Sequence, residues 1–445
     1  MLVYFLNHST AAVNLGGAER SMIRLVEDWI AADQNFEPYF LTKSPAGLFV
    51  AELEKRHWPY EAIRFRGWAG PRSDPPASEL AYFARTDYNA VRRMIAIMEA
   101  RRPDLVVTNT LVAPWAAFAA KVLDIPHAWM VREYGDLDHG LVFTSGVEST
   151  LADIGLLSEA VVTNSFALRD RLARFVDPAK LSVTYPQVDA DAIVVAADAS
   201  PPIVPFPRGG ELKITIVGRL TLAKGQWRVI EAVAELASRG VDAALCLVGS
   251  AIDRDYRRTL DELIRKLGIG ARVTFVGESD NPFPYIAASD VCVTASDIEA
   301  FGRTTVEYLL LERAVVATRG GGSAELIEDG VTGTLVDAEN PDAFAAALMV
   351  YAENPQLRSE HGRRGAVRIR NLLDQHDNRV AIARLTDAAA RSTYRLPAIA
   401  KHWFALPELT HSTARTGDRV TASFLMVRLG AEAVRVVRRV RRTTR

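Results

Sequence analysis

The 445-residue chain carries 53 Lys+Arg against 54 Asp+Glu, a net charge of −1. Residues 411–445 hold nine arginines and two acids (+7), so the remainder carries −8. An acidic body argues against nucleic acid as its partner, and a basic end points to a polyanion for that end alone. The length exceeds one ordinary core, and 49% hydrophobic with 24% charged residues is the composition of globular domains.

In chain order, LVYFL (2–6) precedes a helical pattern at 17–33, and PYFLT (38–42) precedes another at 47–56. DLVVTN (104–109) leads into a small-residue helix near 114–123, and HAWMV (127–131) and AVVTNS (160–165) follow. Such alternation predicts parallel strands covered by helices. Residues 198–210 hold four prolines and two glycines, which suit neither helix nor central strand, so this stretch reads as a linker. Alternation then resumes: strands at 213–218, 243–249, 272–277, 291–296 and 314–318, helices at 224–238, 254–267, 303–312 and 323–328, and mostly helix from 340 to 392.

The predicted fold is therefore α/β, with two units facing a cleft. The domain expectation is 1–200, a linker at 201–211, a second domain at 212–365, helices at 366–395 that return to the first domain, and a basic extension at 396–445. Cys246 and Cys292 lie in apolar runs and read as buried thiols, which fits a cytoplasmic chain. The start lacks a basic leader and a cleavage site, so it reads as a strand and not a signal peptide. No run reaches the ~20 uncharged apolar residues of a membrane span.

Chemistry is expected just beyond the carboxyl ends of the strands. Residues 290–337 place Glu299 before a helix and Glu307 inside it, with the free N–H groups of Phe301, Gly302 and Arg303 at the helix start. Such a terminus suits an anion, and ionised carboxylates accept hydrogen bonds from sugar hydroxyls. Gly320, Gly321 and Gly322 form either a tight turn or a second ligand loop. Arg219 and Lys224, in VGRLTLAKG (217–225), flank a strand-end turn and suit a diphosphate. Gly16 and Gly17, in NLGGAER (14–20), open the first helix but do not form a G-x-G-x-x-G fingerprint.

These motifs together, E-A-F-G-x3-V-E at 299–307, G-G-x-x-E-L-I at 321–327, G-x-x-G-x-L-V at 330–336, G-R-L-x3-K-G at 218–225 and G-G-A-E-R at 16–20, resemble the retaining glycosyltransferases of family four. The resemblance covers roughly residues 2–392. It implies the GT-B fold, two Rossmann-like domains around the active site, and a nucleoside-diphosphate sugar as donor. It assigns Arg219 and Lys224 to the diphosphate, Glu307 to the ribose, Glu299 to the transferred sugar with the backbone of Phe301, Gly302 and Arg303 nearby, and Gly16 and Gly17 to the phosphate from the opposite domain. Glu299, Arg219 and Lys224 are the catalytic candidates. The base is expected near 277–285. No cofactor and no metal is expected, because no Asp-x-Asp motif reads as metal-dependent and the cation pair can take a metal's role.

Many relatives read W-H-x-R-E where this chain has Trp129, Met130, Val131, Arg132 and Glu133. Met130 thus stands in the histidine's place. His127 falls on the other face of the strand and reads as structural. Arg132 and Glu133 read either as acceptor-side groups at the cleft edge or as a buried ion pair. Trp68, in a Pro/Gly-rich loop, is a candidate for stacking on an acceptor sugar. The implied acceptor is a glycan or lipid-linked glycan, in polysaccharide or glycoconjugate synthesis. Two alternatives stay open: an epimerase of the same fold, and a catalytically silent nucleotide-sugar-binding subunit. Residues 424–442 form a basic amphipathic pattern that suits an anionic membrane face, making the chain peripheral there, or else a solvated tail or one packed on the acidic body.

Overall fold

Strands covered on both faces have no alternation to show, only continuous apolar residues. Val3, Tyr4, Phe5 and Leu6 of the strand Leu2–Asn7 are all fully buried. The computed structural model describes residues 1–9, 11, 15–70, 77–206, 212–251, 253–340, 342–391, 396, 400 and 404. Among these, two all-parallel sheets carry the fold. The first has seven strands in the order Tyr60–Ala62, Glu37–Thr42, Leu2–Asn7, Leu105–Thr108, His127–Val131, Ala160–Thr163, Leu181–Val183. The second has six, ordered Val273–Gly277, Ala243–Val248, Leu212–Val217, Val291–Thr294, Ala314–Thr318, Thr334–Val336. These are two Rossmann-like domains.

In each sheet the chain enters mid-sheet, builds outward to one edge, then crosses to the other side. The entry strands Leu2–Asn7 and Leu212–Val217 therefore sit at topological switch points, where a crevice opens beyond the carboxyl ends. His8 and Gly218–Arg219 are the residues that follow them.

The seam between the domains combines apolar packing with a specific carboxylate contact. Glu325, in the motif after the triple glycine, accepts the backbone N–H groups of Phe166 (2.9 Å) and Ala167 (3.2 Å) and the Tyr185 hydroxyl (2.7 Å). A carboxylate thus caps the helix Phe166–Leu172 from the opposite domain. The helix Ala190–Ala197 precedes the linker yet buries Ile193 with Ile286 and Tyr308 of the second domain. The helix Pro355–Gln375, begun by an Asn354 cap and Pro355, packs Ile369 and Leu373 there too, continuing through the boundary expected at 365. The helix Asn378–Ala389 returns to the first domain. Its Ala381, Leu385 and Ala388 join Val3, Phe5 and Trp29, and Asn378 donates to Asp28 at 2.7 Å.

Cys246 and Cys292 are buried and unbridged, and burial pushes the Cys246 thiol up to about 12. No described helix is long and apolar enough to cross a membrane. Asn14, residues 207–211 of the linker and the basic segment 424–442 lie outside the described residues.

Candidate active site

The two crevices meet in a cleft with three connected hollows. The innermost, about 540 Å³, is lined from the first domain by Gly16, Gly17, Arg132 and Glu133 and from the second by Arg219, Lys224 and the run Ile298–Arg303. A wider one of about 1390 Å³ runs past Lys43, Arg64 and Arg66 to Gly249, Glu278 and Ser279, reaching the segment expected to hold the base. A third, about 910 Å³, lies over Trp68, Leu80, Phe83 and Val142. His8 and Arg219 line all three.

Glu299 is held from three sides. Its carboxylate pairs with Lys224 and accepts from the Ser296 hydroxyl at 2.6 Å. Its carbonyl accepts the Gly322 N–H at 2.7 Å. The triple glycine therefore packs behind the Glu299 loop and is not part of the lining of the three hollows. A Cβ on Gly321 would lie 2.2 Å from the Glu299 carbonyl oxygen, and one on Gly322 would lie 2.5 Å from Phe301 Cα. Gly321 also takes φ +71°, which disfavours any side chain. Gly302 caps the helix Arg303–Leu310 with φ +92°, and a Cβ there would meet the Ser323 hydroxyl at 2.3 Å.

Glu307 sits one turn into that helix and is buried. It takes a long 3.4 Å hydrogen bond from Arg303. Burial pushes its carboxyl above the usual range, against the pull of Arg303. Thr305 ties the helix to the Thr294 hydroxyl at 2.8 Å. Tyr308 accepts the Val217 N–H at 2.7 Å, fixing the strand end from which Arg219 projects, and the Gln226 side chain donates to the Arg219 carbonyl at 2.9 Å. The Arg219 side chain is exposed to the cleft and has no ion pair with any described residue.

On the facing wall, Gly16 and Gly17 differ. A Cβ on Gly16 would strike the Glu19 carboxylate at 2.4 Å, whereas one on Gly17 would meet nothing within 4 Å. Gly17 thus leaves open space at the start of the helix Gly17–Ala32, where N–H groups have no intrahelical partner.

Arg132 and Glu133 both line the inner hollow but do not pair with each other. Arg132 donates to Asn109 at 2.7 Å, and burial pulls it down to about 10. Glu133 lies 3.6 Å from His139, and burial raises its carboxyl. Met130 is buried in the core with Ala128 and forms no part of the cleft lining. His127 is structural: its ring lies 2.9 Å from the Thr108 hydroxyl and 3.3 Å from that of Ser158. Trp68 is less free than its loop implied. Its ring stacks on Trp129 (5.8 Å, 5°) and its N–H donates to the Leu111 carbonyl at 2.8 Å, so only apolar ring surface remains for the third hollow.

Two features escaped the sequence reading. Asp-x-Asp spacing does occur, at 136/138, 189/191 and 253/255. There Asp136 binds Arg171, Asp138 accepts the Tyr134 and Gly135 N–H groups, Asp189 caps the helix Ala190–Ala197, Asp253 caps the helix Arg254–Leu267, and Asp255 pairs with Arg258. Among the described residues no group of three or more His, Cys, Asp or Glu is placed to hold a metal. The other feature is His8, whose Nδ1 is buried with no described hydrogen-bond partner and whose pKa burial lowers. Its place directly after the first strand was the available signal.

Residues 15–192 match the profile of Glycosyltransferase Family 4 and residues 204–368 that of Glycosyl transferases group 1. The lipopolysaccharide core biosynthesis glycosyltransferase LpsE of Rhizobium meliloti is 28% identical over 59% of this chain and 70% of its own length. The GDP-mannose-dependent alpha-(1-6)-phosphatidylinositol monomannoside mannosyltransferase of Mycolicibacterium smegmatis is 31% identical over 48% of this chain, a match spanning 58% of that relative. The crystal structure of Anabaena HepE in complex with UDP superposes with a TM-score of 0.66 at 22% identity, covering 88% of this chain and all of HepE. With both Rossmann-like domains matched in sequence by glycosyltransferase families and superposable in space, the chain is a family-4-like glycosyltransferase of GT-B fold.

Proposed function

We propose that the chain moves a sugar, with retention of anomeric configuration, from a nucleoside-diphosphate sugar to a glycan or lipid-linked acceptor. The observation that carries this is the Lys224–Glu299 pair facing the open Gly17 helix start across one hollow, with the unpaired Arg219 beside it. The donor diphosphate lies between Arg219, Lys224 and the Gly16–Gly17 helix start. As the glycosidic bond breaks, negative charge grows on the departing diphosphate, and cations already in place lower the barrier. Lys224 then serves phosphate and Glu299 at once, while Glu299, Phe301, Gly302 and Arg303 border the transferred sugar. Glu307 accepts from the ribose. The two cations take the charge role that a metal takes elsewhere, so added chelator should leave the transfer rate unchanged.

Neighbours and relatives support the substrate class without fixing it, since HepE was solved with UDP and the mycobacterial relative is named for GDP-mannose. The two relatives are named for a lipopolysaccharide core and a phosphatidylinositol monomannoside, which favours a lipid-linked acceptor. The basic segment 424–442 would hold the enzyme on an anionic membrane face, and deleting 411–445 should then reduce sedimentation with anionic vesicles. Proton NMR of the product's anomeric centre tests retention. An inverted product would refute the proposed stereochemistry, and Glu307→Ala transferring at the wild-type rate would refute the ribose assignment.

A further inference from the structure

Several first-domain arginines have carboxylate partners: Arg56, Arg93, Arg101 and Arg171 each form an ion pair. Lys43, Arg64 and Arg66 do not form one with any described residue, although they share one wall of the cleft. Lys43 directly follows the strand Glu37–Thr42, and Arg64 and Arg66 follow the strand Tyr60–Ala62. Rings support them instead. The Arg66 guanidinium lies 3.7 Å from the Phe83 centroid, Arg64 lies 5.7 Å from Tyr82, and the Lys43 ammonium lies 6.0 Å from Phe65. A ring fixes one side of a cation without neutralising it or using its hydrogen-bond donors.

Lys43 and Arg66 stand close enough to repel each other. Burial and the neighbouring Arg66 both lower the Lys43 pKa. Asp87 is the carboxylate that both cations feel, but it is buried and accepts the Arg66 N–H at 2.6 Å, and burial raises its pKa to about 6. Glu133 lines the third hollow and lies 3.6 Å from His139, with no ion pair to the three. Beyond Lys43 and Arg66 the third hollow turns apolar at Leu80 and Val142, which are 53% and 51% exposed.

We propose that Lys43, Arg64 and Arg66 form a phosphate site for the acceptor, so that the sugar is transferred to a molecule carrying a phosphate or diphosphate group. The site lies beside the donor hollow and shares His8 and Arg219 with it. This rests on the glycosyltransferase reading above and adds the acceptor's chemical class to it. The phosphate can come from a lipid or from a soluble phosphorylated glycan, and Leu80 and Val142 favour an attached apolar chain.

The test is calorimetry on the full chain with the donor site filled by whichever of UDP, GDP, ADP and dTDP stabilises it most. Dodecyl phosphate, dodecyl maltoside and inorganic phosphate are titrated below micelle concentrations into wild type and into the Lys43→Gln/Arg66→Gln double variant. The expected result is that dodecyl phosphate binds wild type, dodecyl maltoside does not, and the variant loses roughly tenfold or more in affinity, as for lost charge-assisted hydrogen bonds. Nucleoside diphosphate affinity and thermal midpoint should stay unchanged in the variant. Inorganic phosphate binding as tightly as dodecyl phosphate, with the same loss in the variant, supports the site and assigns it to a soluble acceptor. A variant that loses nucleoside diphosphate but keeps dodecyl phosphate overturns the proposal, because the cations then belong to the donor. Equal binding of the phosphate and maltoside probes overturns it too. Failure of wild type to bind any nucleoside diphosphate refutes the donor reading separately.

Discussion

On the second-domain wall of the cleft, charged groups are set by hydrogen bonds that pin their backbone: the Gly322 N–H bonds the Glu299 carbonyl, and the Tyr308 hydroxyl holds the strand end before Arg219. On the first-domain wall, Lys43, Arg64 and Arg66 rest on aromatic rings at the ends of loops. The first arrangement is stiff, because glycine contacts leave no slack for a methyl group. It suits a donor whose diphosphate must be met at fixed points. The second fixes where the cations stand but leaves their donors free to adapt, which suits a variable acceptor.

The sharpest way to break this contrast is Lys224→Ala. Removing a preorganised charge from the leaving group should cost turnover on the order of 10²–10³-fold, read as kcat at saturating donor. A loss confined to acceptor KM would place Lys224 on the wrong wall.

Glycines come next. Gly321→Ala forces a Cβ against the Glu299 carbonyl at positive φ and should destabilise the chain by about 1–3 kcal/mol in urea unfolding, with donor affinity falling as well. Gly17→Ala fills open space at a helix start. It should leave the urea midpoint unchanged or slightly raised, since alanine favours helix by about 1 kcal/mol, while donor affinity drops. If both glycines behaved alike, the distinction between packing glycine and ligand-facing glycine would collapse.

His8 lines all three hollows with its Nδ1 unsatisfied among the described residues, so His8→Ala should lower kcat/KM for transfer by roughly tenfold, about the worth of one hydrogen bond. The smallest effect concerns pH. Glu307 has its pKa raised by burial, so on acidification it takes up a proton at higher pH than an ordinary glutamate. Donor KM should therefore rise as pH falls toward that raised pKa, and Glu307→Gln should flatten the profile.

That Arg219, Lys224, Glu299, Phe301 and Gly302 would gather at one hollow was legible because they come from two short segments. Glu299, Phe301, Gly302 and Glu307 lie within nine residues, and Arg219 and Lys224 flank one turn. Strand positions were legible wherever apolar runs end in polar loops, as at His127–Val131 and Ala314–Thr318. What escaped is built from distant pieces. Lys43, Arg64, Arg66 and His8 come from three loops that only the parallel sheet brings together, and each alone reads as a surface charge or a lone ring. Glu325 looked like part of a helix motif, yet its partners Phe166 and Tyr185 are 159 and 140 residues away. Trp68 followed loop composition in the sequence but obeys its neighbour Trp129 in space.

The central claim is that the hollow between Lys224 and Gly17 is the donor site. A crystal structure of the full chain with its best-binding nucleoside diphosphate tests it directly. The account predicts the diphosphate within hydrogen-bonding distance of both Arg219 and Lys224, the ribose at Glu307, and Lys43 and Arg66 left without contact to the donor. A diphosphate held by Lys43 and Arg66, with Lys224 still bound only to Glu299, would contradict it.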